Sequence, residues 1–283
     1  MSWALVLAAP PEELEIVAAE LFELRALGVE LQEPGMKLMP GTPQLPEGRG
    51  RVIAHFEERA AAEEAASVLG AESPVEIAAQ DWSVAWRAHH KIMQVGPRSW
   101  VYPPWEKPPR GVAVAIDPGM AFGTGSHPTT SLCLEACDEQ LALRPGADLL
   151  DVGTGSGVIA LLAVKLGAGR VAGTENDAVA LKAALEGAAL NGIALGRIEW
   201  RLEDPRDVPG QFGIVIANIL LNTLEELAEQ IAAKVAPGGR LVLSGLLAAQ
   251  GDAAERAYKW QGLRAAGRKE REGWIRAELD RPL

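Results

Sequence analysis

Apolar residues along the chain follow two rhythms, and the change between them predicts two kinds of fold. From Trp3 to Ala9 the run WALVLAA predicts a strand; Leu14, Val17, Leu21 and Leu24 then recur at helical spacing behind Pro10 and Pro11, which mark a helix start. VELQ, RVIAHF and PVEIAAQ read as three more strands, with a second helix over EERAAAEEAASVLG and a Gly/Pro-rich loop from 33 to 50. The order βαββαβ predicts a ferredoxin-like α+β sandwich of about 80 residues. Beyond residue 111 the pattern becomes strand, helix, strand, helix. Strands are predicted at GVAVAID, 148–152, 170–175, near 197–202, from 212 into Asn218, and at APGGRLVLSGLL. Helices fall over TTSLCLEACDEQLAL, 156–166 and 177–190, and residues 263–280 read as two strands joined by a polar turn. Such alternation predicts an α/β domain built on a parallel sheet. The expected division is 1–80, a Trp/Pro-rich linker 81–110, and 111–283.

The linker expectation rests on composition. Four of the eight tryptophans, Trp82, Trp86, Trp100 and Trp105, fall there among basic residues and ahead of Pro103, Pro104, Pro108 and Pro109. Aromatics beside arginines can stack nucleic-acid bases, but the preceding domain argues against that partner. The chain's net charge is −11, and residues 1–80 hold fourteen acidic against five basic residues. That surplus repels a phosphate backbone and could steer a basic partner. No direct nucleic-acid binding is expected. No apolar run reaches the roughly 18 residues of a membrane span, and VIALLAVKLGA is broken by Lys165. With no basic stretch ahead of its first apolar run, the chain is expected to be cytoplasmic. Cys133 and Cys137 lack the companions of a zinc site and read as small core residues.

The chemistry concentrates in LLDVGTGSG, residues 149–157. An apolar run ending in Gly153, Gly155 and Gly157 predicts a buried strand turning sharply into a helix, at the carboxyl end of the sheet where ligands bind. Asp151 is expected to point a carboxylate into the ligand space, where it would repel a pyrophosphate. Glu175 lies 22 residues beyond Gly153, where an acid can accept both ribose hydroxyls of an adenosine. A ligand with adenosine at one end, a cationic group at the other and no phosphate suits both acids, which points to S-adenosylmethionine; a dinucleotide site is the alternative. DPGMAFGTGSHPTT, residues 117–130, supplies a second glycine loop, a helix start with Pro128 at its first position and His127 or Ser126 near the cap, and the hydroxyls of Thr129 and Thr130. Asn218 ends a strand expected beside the glycine turn, where its amide could orient an amine.

These segments resemble the methyltransferases that modify large-subunit ribosomal protein eleven, the PrmA type. The resemblance rests on DPGMAFGTGSHPTT, LLDVGTGSGVIALLAVKLGA, VIANILLNTL and PGGRLVLSGLL, with DW-x3-W as a further echo. It implies a seven-stranded, Rossmann-like class I methyltransferase domain whose sheet ends in an antiparallel hairpin, preceded by a domain that grips a basic ribosomal protein. It implies S-adenosyl-L-methionine as cofactor, transfer to amino groups (lysine side chains, an N-terminal amine or both), and cofactor contacts at Thr130, Gly153, Glu175 and Asn218; a class I methyltransferase acting on another protein, RNA or a small molecule is the alternative. Asp151, Gly155 and Thr129 complete the candidate set, with no metal. One departure stands out: the family's usual Asp-x-Asp after the second strand is here Thr174-Glu175-Asn176-Asp177.

Overall fold

The computed structural model describes residues 2–32, 49–77, 91–108, 110–117 and 127–283. The loop 33–48, Trp82, Trp86, His89, His90 and the glycines of 118–126 lie outside the described residues. The chain divides into two compact units, Met1–His89 and His90–Leu283.

The first unit runs β1 (Ser2–Ala9), α1 (Leu14–Glu23), β2 (Gly28–Gln32), β3 (Gly50–Phe56), α2 (Arg59–Leu69) and β4 (Val75–Ile77). Its antiparallel sheet has the order β2-β3-β1-β4. Alternation sends Leu5 of β1 and Val52, Ala54 and Phe56 of β3 to one face, where Leu14 and Leu21 of α1 and Ala62 and Ala65 of α2 close the core. The βαββαβ order read from the periodicity is the order observed.

The stretch expected as a linker is partly folded. β5 (Met93–Gln94), β6 (Ser99–Tyr102) and β7 (Val112–Ala115) form a small sheet, β6 pairing in parallel with β7. This sheet is part of the second unit and is pinned to α3 (Pro128–Leu143). Asp138 of α3, 1% exposed, accepts the Arg98 main-chain N–H at 2.8 Å, Arg98 Nε at 2.7 Å and Ser99 Oγ at 2.9 Å. Trp100 therefore sits in a strand, not in a spacer.

The main sheet contains β8 (Leu149–Val152), β9 (Val171–Thr174), β10 (Glu199–Arg201), β11 (Phe212–Asn218), β12 (Val235–Leu247), β13 (Arg264–Arg271) and β14 (Trp274–Asp280), in the order β10-β9-β8-β11-β12-β14-β13. β14 is antiparallel to β12 and β13, and the other pairings are parallel. Helices α4 (Val158–Lys165) and α5 (Ala178–Leu190) join α3 over one face, against Leu149, Ile214, Ile216 and Val242. Helices α6 (Leu221–Glu226), α7 (Ala228–Lys234) and α8 (Gly251–Trp260) cover the other, against Leu150, Val152, Val215 and Leu243. With both faces covered, the central strands read as continuous apolar runs. The strand order reverses about β8, and the crevice opens there, at the carboxyl ends. Cys133 and Cys137 are free and fully buried under this sheet, as expected for small core residues; burial pushes the Cys133 thiol up to about 12.

Candidate active site

The crevice has a volume of about 380 Å³, within the range of small-molecule sites, and lies over the tips of β8, β9, β10 and β11. Its floor is the glycine turn. Gly153, Gly155 and Gly157 hold φ of 68°, 52° and 79°, a region that costs side-chain-bearing residues strain. A Cβ on Gly153 would also stand 2.4 Å from Ile219 Cγ2, and one on Gly157 would stand 2.8 Å from the Trp200 ring.

The main-chain N–H groups of Gly153, Thr154 and Gly155 in this turn are already engaged. Those of Gly153 and Thr154 donate to the Thr174 carbonyl, both at 2.9 Å. That of Gly155 donates to Glu175 Oε2 at 2.9 Å, while Glu175 Oε1 accepts from Asn176 N at 2.9 Å and Asp177 N at 3.3 Å. Four carboxylate residues, Glu175, Asp177, Glu203 and Asp204, line the crevice, and no Lys or Arg does so among the described residues. A diphosphate would meet four acids and few free donors, against the usual phosphate-binding arrangement. A nucleoside with a cationic tail meets acceptors for its ribose and amino groups and a field of the right sign.

Asp151 corrects one expectation. Its carboxylate does not line the crevice; it is 0% exposed and accepts Thr154 Oγ1 at 2.6 Å and the Ala160 main-chain N–H at 3.3 Å. The cause is strand alternation: Asp151 shares the Leu149 face, which α3 and α4 cover. Its second oxygen, Oδ1, is buried without a hydrogen-bond partner among the described residues. Burial pushes its carboxyl up to about 7, against the opposing pull of the Thr154 hydroxyl and the Ala160 N–H, with the nearby Glu175 charge adding to the rise. The folded protein therefore keeps a proton that the unfolded chain releases near pH 4. The associated stability is fully present below that pH and is lost as pH rises toward 7, on the order of 4 kcal/mol in total. Asp151→Asn keeps the acceptor for Thr154 and removes the titration. Urea unfolding at pH 4.5 and pH 7.5 is expected to show a loss in the parent that is reduced by several-fold in the variant; equal losses would remove Asp151 from the account.

Asn218 stands at the junction of two cavities. Its Nδ2 donates to Thr130 Oγ1 at 3.3 Å, and its Oδ1 is buried with no hydrogen-bond partner among the described residues. A buried, unpaired acceptor costs about 1–3 kcal/mol unless a ligand supplies the donor. Thr130, 1% exposed, sits behind Asn218 and lines neither cavity. Thr129 lines the second cavity, a space of about 530 Å³ that shares Asn176, Asn218, Ile219 and Thr223 with the first. His127 caps α3, its Nδ1 lying 2.7 Å from Thr129 Oγ1 and accepting the Thr129 N–H at 3.3 Å. Its ring meets Trp274 edge to face, centroids 4.9 Å apart and planes at 70°. Leu220 and Gly245 complete a largely apolar lining.

Of the residues singled out from sequence, Gly153, Gly155, Glu175 and Asn218 meet around one crevice, Thr129 faces the neighbouring cavity, and Thr130 and Asp151 stand behind the walls. Sequence reading missed Glu203, Asp204, Trp274 and Gly245. The acids follow β10 after Leu202, and that place just past a strand end is the signal for them. The tryptophan opens a strand after the Glu272-Gly273 turn and nothing local marks it.

A seven-stranded sheet ending in an antiparallel hairpin, with an acid-lined, phosphate-averse crevice at its glycine turn, defines a class I S-adenosylmethionine-dependent methyltransferase. The sequence profile of ribosomal protein L11 methyltransferase (PrmA) matches residues 2–282. The chain belongs to that family. A ribosomal protein L11 methyltransferase from Myxococcus xanthus is 43% identical over 281 residues, covering 96% of each chain. One from Pseudomonas paraeruginosa is 40% identical, covering 98% of this chain and 97% of its own. Among solved structures, a ribosomal protein L11 methylase from Lactobacillus delbrueckii subsp. bulgaricus superposes with a TM-score of 0.62 at 31% identity, over 69% of this chain and all of its own.

Proposed function

We propose that the enzyme methylates amino groups of ribosomal protein L11, with the cofactor's nucleoside over Gly153 and Gly155 and the acceptor amine entering through the second cavity. The observation that carries the placement of the amine is Asn218, which lines both spaces and whose buried Oδ1 has no partner among the described residues. When bound, S-adenosylmethionine supplies a methyl group already activated by its sulfonium. The chain's own residues then supply acceptors and alignment: Glu175 for the ribose hydroxyls, Glu203 or Asp204 for the adenine amino group, and Asn218 for the amine.

The nucleophile must be a neutral amine, whereas a lysine in water has a pKa of about 10.4. An apolar lining of Leu220, Trp274 and the His127 ring disfavours the ammonium and promotes loss of its proton to solvent. Asn218 Oδ1 accepts one remaining N–H and leaves the lone pair free. Orientation of this kind is worth roughly 7–11 kcal/mol of barrier in well-aligned reactions. No side chain forms a covalent intermediate. The acidic surplus of residues 1–80 suits a basic protein partner.

Purified L11 incubated with the enzyme and methyl-labelled S-adenosylmethionine is expected to carry label on amino groups, located by peptide mass spectrometry. Labelled ribosomal RNA with unlabelled L11, in assembled subunits, would overturn the substrate.

A further inference from the structure

The two aromatic walls of the second cavity belong to different elements: His127 caps α3, and Trp274 opens β14. Behind them the β13–β14 hairpin presents three cations to α3. Lys269 Nζ lies 2.6 Å from Glu135, and Arg271 lies 3.2 Å from the same carboxylate and donates to Ser131 Oγ. Arg276 donates to the main-chain carbonyl of Leu132 at 3.2 Å, pairs with Glu139, and stands 2.9 Å from Glu278 and 3.8 Å from Glu135. The first two cations are 42% and 37% exposed and are screened by salt, whereas the Arg276 side chain is 6% exposed. Burying an ion pair adds little stability over an apolar pair of similar volume, so its use here points to registry. Arg276 holds a carbonyl one turn into the helix whose first turn carries Thr129 and Thr130, from a position two residues beyond Trp274.

We propose that Arg276 is a positioning residue for the methyl-accepting site: bridging the Leu132 carbonyl and Glu139 on α3, it sets the separation of His127 and Trp274 and so the width of the space that admits the amine. The inference rests on reading that space as the acceptor site. It assigns Arg276 no contact with substrate or cofactor. Its effect passes through Trp274, and the two substitutions must therefore be non-additive.

The test is a double-mutant cycle of Trp274→Ala and Arg276→Met, with steady-state constants on L11, calorimetric affinity for S-adenosylmethionine and thermal midpoints. Arg276→Met is expected to raise KM for L11 about tenfold while cofactor affinity stays within twofold, because the wall that admits the amine shifts and the acceptors lining the first crevice do not. In the Trp274→Ala background the same change is expected to add less than threefold. The half-exposed Glu139→Gln, which removes the helix-side partner and leaves Arg276 paired with Glu278, is expected to raise KM about threefold with the same non-additivity, and it serves if Arg276→Met fails to fold. An unchanged KM, a matching loss of cofactor affinity and thermal midpoint, or a full factor on top of Trp274→Ala each overturns the role. An unchanged KM in Trp274→Ala alone overturns the acceptor-site reading beneath it.

Discussion

Alanine at position 218 is expected to lower turnover on L11 about a hundredfold while cofactor affinity falls only a few-fold. The asymmetry follows from what the side chain does. Nδ2 is held by Thr130, and the side chain lines both cavities with its buried Oδ1 unpaired among the described residues. Truncation leaves the glycine turn, Glu175 and the acids after β10 in place, so the nucleoside keeps its acceptors. The amine loses the group that fixes its lone pair, and a misplacement of about 1 Å costs roughly a hundredfold in rate. Asn218→Asp separates orientation from charge. A carboxylate there favours the ammonium over the free amine and raises its pKa; activity is expected to fall near neutrality and recover in part at alkaline pH. Single-turnover rates from pH 7 to 10, with calorimetry for the cofactor, measure both effects. Equal losses in rate and cofactor affinity for the alanine variant would place Asn218 in the cofactor contact alone.

The parts of the site that could be read from sequence are those whose geometry is local. Three glycines two apart after an apolar run require a tight turn, and Glu175 at the end of the next run falls beside that turn because β8 and β9 are adjacent. The βαββαβ order of the first unit was equally legible, since each of its strands and helices shows its own period. Asp151 was misread because its distance from the glycines says where the strand ends and not which face the residue occupies. The parity of Leu149 and Leu150 decides that, and both are buried. Residues 93–102 look like a spacer because their proline and tryptophan content is visible, whereas the strand they pair with, β7, lies across the intervening Pro-rich turn. His127 and Trp274 are far apart in sequence and meet only because β14 inserts antiparallel beside β12, under the start of α3. No window of the chain contains that contact.

Gly245→Ala is expected to cost several kcal/mol of stability and most of the activity, because the residue serves β12 and the site together. Its φ is 81°, a region that costs an L side chain about 1–2 kcal/mol. A Cβ there would stand 2.4 Å from the Ile219 carbonyl oxygen and 3.0 Å from the Ile219 nitrogen. These are backbone atoms of the residue after Asn218, and they cannot swing aside as a side-chain tip can. The close approach exists because the β12–β14 register shifts between Leu243 and Leu246, while Ser244, opposite Asn218 in the β11–β12 ladder, donates to the Ile275 carbonyl at 2.9 Å. Relief of the clash must displace Ile219, and with it the amide of Asn218 and the wall shared by both cavities. Gly262→Ala isolates the backbone term: its φ is 85°, nothing lies within 4 Å of a Cβ there, and it sits between α8 and β13 at the end of the sheet away from the site. That variant is expected to lose about 1–2 kcal/mol with turnover unchanged. Gly245→Ala should lose at least twice as much in urea unfolding and about a hundredfold in kcat on L11, and parity between the two variants would remove the steric argument.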